Sequence, residues 1–275
     1  MNICSVKRFY DRAIFVCRVS ESITKGQNTM RLTKLIPGFI KDKICLTWTY
    51  ADYKASRTYS QKGEDLIVRG IFDCLDIERP SYMDVGANSP FGLSNTALFY
   101  RNGSRGINIE PNPILFRRIA QVRTEDINIM AGIGTSQGTM SFYVMNADTL
   151  STFSKSSADE YCQKHGFKIV DVMQVKVETL RHVVSEYCGG VFPDFMSLDT
   201  EGLDEMILSS LKDCLSLPKV ICTETWDYGL KTHHIPEICA ILESLGYMLL
   251  IDNHLNSIFV LRGLWEKAIS NRKTR

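Results

Sequence analysis

Tyr82-Met-Asp-Val-Gly-Ala-Asn88 is the stretch that decides how this chain folds. Tyr82–Val85 suits a short strand, and Gly86 ends it in a turn whose backbone can approach a ligand closely without a Cβ. The next apolar run, Gly106–Ile109, stops at Glu110-Pro-Asn-Pro113, where a proline just inside a helix start introduces Ile114–Val122. Between the two runs, Leu93–Tyr100 fits a helix closed by Asn102-Gly103. Strand, helix, strand, helix is the pattern of a parallel sheet covered on both faces.

Outward from this core the alternation continues. Strands are predicted at Ile127–Met130, Gly138–Val144, Val172–Val177, Phe195–Leu198, Val220–Thr223, Tyr247–Ile251 and Ser257–Leu261, and helices at Leu180–Tyr187, Leu203–Leu211 and Pro236–Leu245. The link Asp252–Asn256 is too short for a crossover helix, so the last two strands should form an antiparallel hairpin. The polar stretch Asn146–Lys164 reads as the longest irregular segment, a place for specificity or a lid.

Bulk properties narrow the class. Of 275 residues, 44% are hydrophobic and 23% charged, which is ordinary for a globular chain with a real core. The net charge of +1 gives no general attraction to nucleic acid, and none is expected as a partner. Residues 1–57 hold eleven Lys or Arg against four Asp or Glu, so +7 sits there and −6 elsewhere. Residues 1–56 read as a basic extension, either a solvated face or a weak contact for a membrane surface, a glycan or a protein. The domain is expected over 57–265, with a basic tail over 266–275. Nine scattered cysteines, without a C-x-x-C pair, suit a reducing compartment, and no apolar run is long enough to span a bilayer. With no signal-like start either, a cytoplasmic location is expected.

Ligands of such sheets sit beyond the carboxyl ends of the strands, where Asp84, Gly86, Asn88 and Glu110 gather. An acidic residue at the tip of the second strand suits the two hydroxyls of a ribose, implying an adenosine. The loop Gly86–Gly92 lacks the G-x-G-x-x-G spacing that seats a pyrophosphate, and Asp84 would repel one. Asp84 could instead accept from the amino group of a methionine moiety. S-adenosylmethionine is therefore favoured over a nicotinamide dinucleotide.

These residues resemble the FkbM-type methyltransferases. The likeness is carried by Ser60-Gln-Lys-Gly-Glu-Asp65, Met83–Asn88, Arg105–Pro113, Leu150-Ser-Thr-Phe153, Asp194–Asp204 and Asn256-Ser-Ile-Phe259. The resemblance implies a class I Rossmann-like fold, with a mostly parallel seven-stranded sheet, and methyl transfer to an oxygen, often a sugar hydroxyl. Gln61, Glu64 and Asp65 either close over the donor from the N-terminal side or are an ordinary helix start with early acidic residues, and Asn112 is expected with the donor-binding group. Ser89-Pro90 departs from the second glycine many members carry, and Thr200 from the usual D-V-E-G, which still leaves both carboxylates.

A sugar hydroxyl needs a base or a metal before it attacks. Asp199, after the strand Phe195–Leu198, is the first candidate for the base. Glu201 either assists it, shares a divalent cation with it, or is simply the acidic start of the next helix. Glu224 should face the same cleft, and one of His233 and His234 could point inward. Trp226 and Tyr228 could stack on a sugar ring, and Ser151–Phe153 could line either side. Two other readings stay open: a non-carbohydrate acceptor, and a donor-binding protein without catalysis.

Overall fold

A computed structural model describes residues 58–227, 232–233 and 235–273. The expected basic extension, Tyr228 and His234 lie outside them. Two sheets carry the architecture. The larger contains β1 (Tyr82–Val85), β2 (Gly106–Ile109), β3 (Ile127–Ile129), β7 (Phe195–Leu198), β8 (Val220–Glu224), β11 (Tyr247–Asp252) and β12 (Asn256–Leu261). Its order is β11-β12-β8-β7-β1-β2-β3. All neighbours are parallel except that β12 runs antiparallel between β8 and β11. The hairpin expected from Asp252–Asn256 is present, and its second strand inserts into the sheet rather than extending its edge.

The central strands are buried on both faces, as crossover helices require. On one face, Met83, Val85, Ile107, Ile109, Met196 and Leu198 pack with α5 (Leu180–Tyr187), α6 (Asp204–Ser209) and α7 (Ile235–Ser244). On the other, Tyr82, Phe195, Val220 and Ile258 meet Val68, Ile71 and Phe72 of α1 (Glu64–Cys74) and Phe99 of α2 (Ala97–Arg101). Phe72, Phe99 and Phe195 form an edge-to-face and tilted trio with centroids 5.5–6.4 Å apart. Burial of each such ring stabilises the fold by about 2 kcal/mol. Helix α3 (Pro113–Val122) starts on Pro113 as expected.

The smaller sheet joins β4 (Gly132–Ile133), β5 (Gly138–Met145) and β6 (Ile169–Glu178) in the order β4-β6-β5. Between β5 and β6 the expected irregular stretch is in fact ordered. It holds a 3-10 turn at Asp148–Leu150 and helix α4 (Lys155–His165), capped by the Ser154 hydroxyl, which accepts from Ser157 N. Polar composition hid that helix, because only Ala158 and Tyr161 are buried along it. At the other end, α8 (Arg262–Lys273) crosses the boundary drawn at residue 265, with Trp265 packed on the core. No helix among the described residues is long and apolar enough to cross a membrane.

Candidate active site

The carboxyl ends of β1, β2, β7 and β8 open into one cavity of about 680 Å³. The smaller sheet and α4 wall it on one side through Phe142, Phe153, Tyr161 and His165. Its floor is shaped by a close approach of two strand ends. Gly86, at φ +82°, stands so near Asp199 that an added Cβ would lie 1.8 Å from the Asp199 carbonyl oxygen. The glycine is thus required by the protein itself and not only by a ligand. Of five described non-glycine residues at positive φ, Asn88, Leu93 and Glu201 line this cavity, so local backbone strain concentrates there.

Glu110 is held in place by backbone donors: Asn88 N donates to one oxygen at 2.8 Å and Asn112 N to the other at 2.8 Å. The carboxylate is 4% exposed and faces the cavity with lone pairs to spare. Burial raises its pKa to about 7, against the pull of those two hydrogen bonds. Gln61, Gly86 and Asn88 also line the cavity.

Three expected donor contacts face elsewhere. Asp84 points under α2: it accepts from Thr96 Oγ1 at 2.5 Å and lies 4.0 Å from Arg123 Nη1. Burial raises its pKa, opposed by Arg123, Thr96 and Ser197. The strand's alternation sends Asp84 to one face, so the carboxylate cannot reach past Gly86. Glu64 is fully buried and accepts from Asn253 Nδ2, Asn256 Nδ2 and Lys62 N, tying the start of α1 to the β11–β12 turn. Asn112 caps α3, accepting from Ile114 N at 2.9 Å, and serves the site by orienting Glu110.

Arg123 is the residue that the sequence reading missed. Only 1% exposed, it donates to Pro90 O, Thr96 Oγ1, Asn108 Oδ1 and Ser94 Oγ. Asp126 lies 3.9 Å from it, and the rings of Tyr82 and Tyr100 flank it. One guanidinium thereby fastens the loop after Gly86 to β1 and β2. A signal was available: Asp84, Asn108 and Asn128 occupy one rung across β1, β2 and β3, and a polar rung inside apolar strands needs a buried partner.

Asp199, Glu201 and Glu224 converge at the far end of the cavity, where one carboxylate oxygen from each lies within 4.8 Å of the others. Asp199 is open to water inside the cavity, yet protein packs densely around it. That enclosure, followed by the charges of Asp204, Asp84, Glu110 and Glu64, pushes its pKa up to about 7. Glu201 accepts from Tyr161 Oη at 2.9 Å, and its carbonyl accepts from Thr152 Oγ1 at 2.7 Å. So Thr152, fully buried, pins Glu201, while Ser151 and Phe153 line the cavity. Trp226 lines it too. The His233 backbone in β10 (Thr232–His233) pairs antiparallel with Trp226 in β9 (Trp226–Asp227), but its side chain lies outside the described residues. His165, given no role from the sequence, sits on the cavity wall, whereas His182 and His254 do not.

The residues fit a cationic adenosine donor. No Lys or Arg lines the cavity among the described residues, while Glu110, Asp148, Asp199, Glu201 and Glu224 do. Among the described lining residues a pyrophosphate would meet like charge, whereas a sulfonium would meet opposite charge. The order β3-β2-β1-β7-β8-β12-β11 with β12 reversed, and an acidic tip on β2, define a class I methyltransferase.

The methyltransferase FkbM domain profile matches residues 84–249, more than half of the sequence, and the chain belongs to that family. It is accordingly an S-adenosylmethionine-dependent methyltransferase. The motifs at 60–65 and 256–259 fall outside the matched span. No curated protein matches the sequence significantly. Among solved structures, a TehB-like S-adenosylmethionine-dependent methyltransferase from Corynebacterium glutamicum is similar at 10% identity and TM-score 0.41, covering 82% of this chain and 100% of its own. The Burkholderia thailandensis 1,6-didemethyltoxoflavin-N1-methyltransferase, with its substrate and S-adenosylhomocysteine, gives 10% identity and TM-score 0.39, covering 80% and 85%. The S-adenosylhomocysteine-bound methyltransferase PaMTH1 of Podospora anserina gives 10% and 0.37, covering 95% and 97%.

Proposed function

We propose that this chain methylates a sugar hydroxyl, with Glu110 holding the donor ribose and Asp199 removing the acceptor proton. One observation supports the acceptor most: three carboxylates and two aromatic rings, Tyr161 and Trp226, meet at one end of the donor cavity. Carboxylates accept from sugar hydroxyls, and ring faces cover the apolar C–H face of a sugar. Bound sulfonium supplies an already activated methyl group. The chain's own work is alignment and proton removal. Asp199, at the end of β7 on the ligand side, is the carboxylate placed for the second task. Glu201, held by Tyr161 and Thr152, fixes the orientation of the acceptor.

The close approach of Asp199, Glu201 and Glu224 supports a second reading of the same step, in which they hold a divalent cation. That ion would lower the hydroxyl pKa and relieve the repulsion among the three. Labelled methyl transfer to free sugars, nucleotide sugars, lipid-linked glycans and non-carbohydrate alcohols tests the acceptor. Turnover restricted to non-carbohydrate alcohols would overturn the sugar reading. Repeating the assay with chelator separates base from metal: activity lost and restored by Mg2+ or Mn2+ favours the ion.

A further inference from the structure

Asp84 faces away from the donor cavity, yet the buried network it joins leads back there. Thr96 Oγ1 donates to Asp84 at 2.5 Å and accepts from Arg123 Nη1 at 2.7 Å. The same Nη1 reaches Asn108 Oδ1 of β2 at 2.8 Å. Asn108 Nδ2 donates to Asp126 at 3.0 Å and to Asn128 at 2.9 Å, so its oxygen is the atom turned to the guanidinium. Asp126 in turn accepts from Tyr82 Oη at 2.5 Å and from Gly106 N at 2.9 Å. On its loop side, Arg123 donates from Nε to Pro90 O at 3.0 Å and from Nη2 to Ser94 Oγ at 2.8 Å. The rings of Tyr82 and Tyr100 close in at 5.9 and 5.6 Å. Partners on the sheet thus fix where the guanidinium sits, and its other N–H groups fix the loop.

That loop carries one of the two backbone donors that hold Glu110. Asn88 N, in a residue at φ +49°, donates to Glu110 at 2.8 Å, and Pro90 O is bound to Arg123 two residues on. Asn88 and Leu93, on either side of Pro90, both line the donor cavity. Pro90 has no N–H, so its carbonyl is the one backbone group by which that residue is anchored. Two residues span at most about 7 Å of chain, so a shift of Pro90 is passed on to the Asn88 N–H. Resting on the reading that Glu110 holds the donor ribose, we infer that Arg123 is a positioning residue for the donor: it sets the loop so that Asn88 keeps the Glu110 carboxylate turned to both ribose hydroxyls. Asp84 serves the donor through Arg123, since with Asp126 it supplies the charge that keeps the guanidinium buried. Hydrogen bonds weaken steeply with misalignment, so a loop shift too small to disturb the fold releases one Glu110 oxygen. The carboxylate then turns on its remaining bond to Asn112 N and loses a ribose hydroxyl.

The test reads ribose recognition rather than stability, on the full chain at pH 8, where Glu110 is ionised. Calorimetry gives the Kd of S-adenosylhomocysteine and of its 2′-deoxyribose analogue for the wild type, Arg123→Lys and Glu110→Gln, with melting as the check on folding. Removing a hydroxyl that donates to a carboxylate should weaken wild-type binding about tenfold or more. Glu110→Gln should cut that preference to about threefold or less. Arg123→Lys keeps the buried charge, but one ammonium cannot span the fork of acceptors on the loop and on β2. It should weaken S-adenosylhomocysteine about tenfold and likewise cut the ribose preference to about threefold or less. Ser94→Ala removes a single loop bond and leaves Arg123 with its partners on the sheet. It should weaken binding about threefold, with a smaller ribose preference, and it carries the test if Arg123→Lys does not fold. Equal losses for both ligands in the folded variant are the mark of general loosening and would overturn the positioning role. Wild-type affinity and preference in that variant would overturn it too. In both outcomes a preference lost in Glu110→Gln leaves the ribose reading standing. A wild-type chain that binds both ligands equally would overturn the ribose reading and this inference with it.

Discussion

Donor affinity should rise with pH through about 7, and Glu110 should be the reason. Burial lifts its carboxyl from an ordinary 4.5 to about 7, so near neutrality the ligand-free protein is a mixture of neutral and ionised forms. Only the ionised form presents both oxygens as acceptors to a ribose and a negative charge to the sulfonium. The apparent Kd is the intrinsic one divided by the competent fraction. That fraction is about one in eleven at pH 6 and about ten in eleven at pH 8, so the Kd should weaken about tenfold between them. The sign for the fold runs the other way. A buried acid with a raised pKa costs the ligand-free fold stability as pH climbs from about 4.5 to about 7. Calorimetry with S-adenosylhomocysteine at pH 6, 7 and 8 reads the slope directly. Glu110→Gln keeps the shape but cannot ionise. It should flatten the slope and, by losing two charge-assisted bonds worth about 1.5 kcal/mol each, weaken binding roughly a hundredfold at pH 8. A wild-type Kd that does not change with pH, or an unchanged slope in Glu110→Gln, would show that Glu110 does not hold the donor through its ionised form.

Asp199→Asn should keep the affinity for the uncharged thioether S-adenosylhomocysteine within about twofold and lose at least about a hundredfold in turnover, the smaller end of what a general base contributes; near-normal kcat would remove Asp199 from the chemistry. Gly86→Ala should drive a Cβ into the Asp199 carbonyl and lower unfolding free energy by about 3 kcal/mol or more. Wild-type melting would contradict that packing. Arg123→Met should cost about 3–5 kcal/mol in urea denaturation, because Asp84 and Asp126 lose their buried cation. A loss under 1 kcal/mol would show that the guanidinium does not fasten the loop to β1 and β2.

How much of this was legible beforehand follows from residue chemistry. The strands β1, β2, β7 and β8 announce themselves as apolar runs ending in polar or glycine residues, and Glu110 and Asp199 stand where such runs stop. Both line the cavity. Asp84 was misread because a strand buried on both faces shows no alternation of apolar and polar residues, so its sequence does not say which face a lone carboxylate takes. Arg123 follows directly on α3, where an exposed charge is ordinary. Its burial depends on three strands coming into register, which is long-range information. Glu64 carried a family motif but serves the fold, joining α1 to a turn almost two hundred residues on. Helix α4 escaped because its outward face dominates its composition.

The most direct test is a crystal soaked separately with S-adenosylhomocysteine and with NAD. S-adenosylhomocysteine should occupy the cavity with both ribose hydroxyls within hydrogen-bond distance of Glu110 and its sulfur turned toward Asp199, and no NAD should be ordered there. Ordered NAD in that cavity, or an adenosine bound away from Glu110, would contradict it.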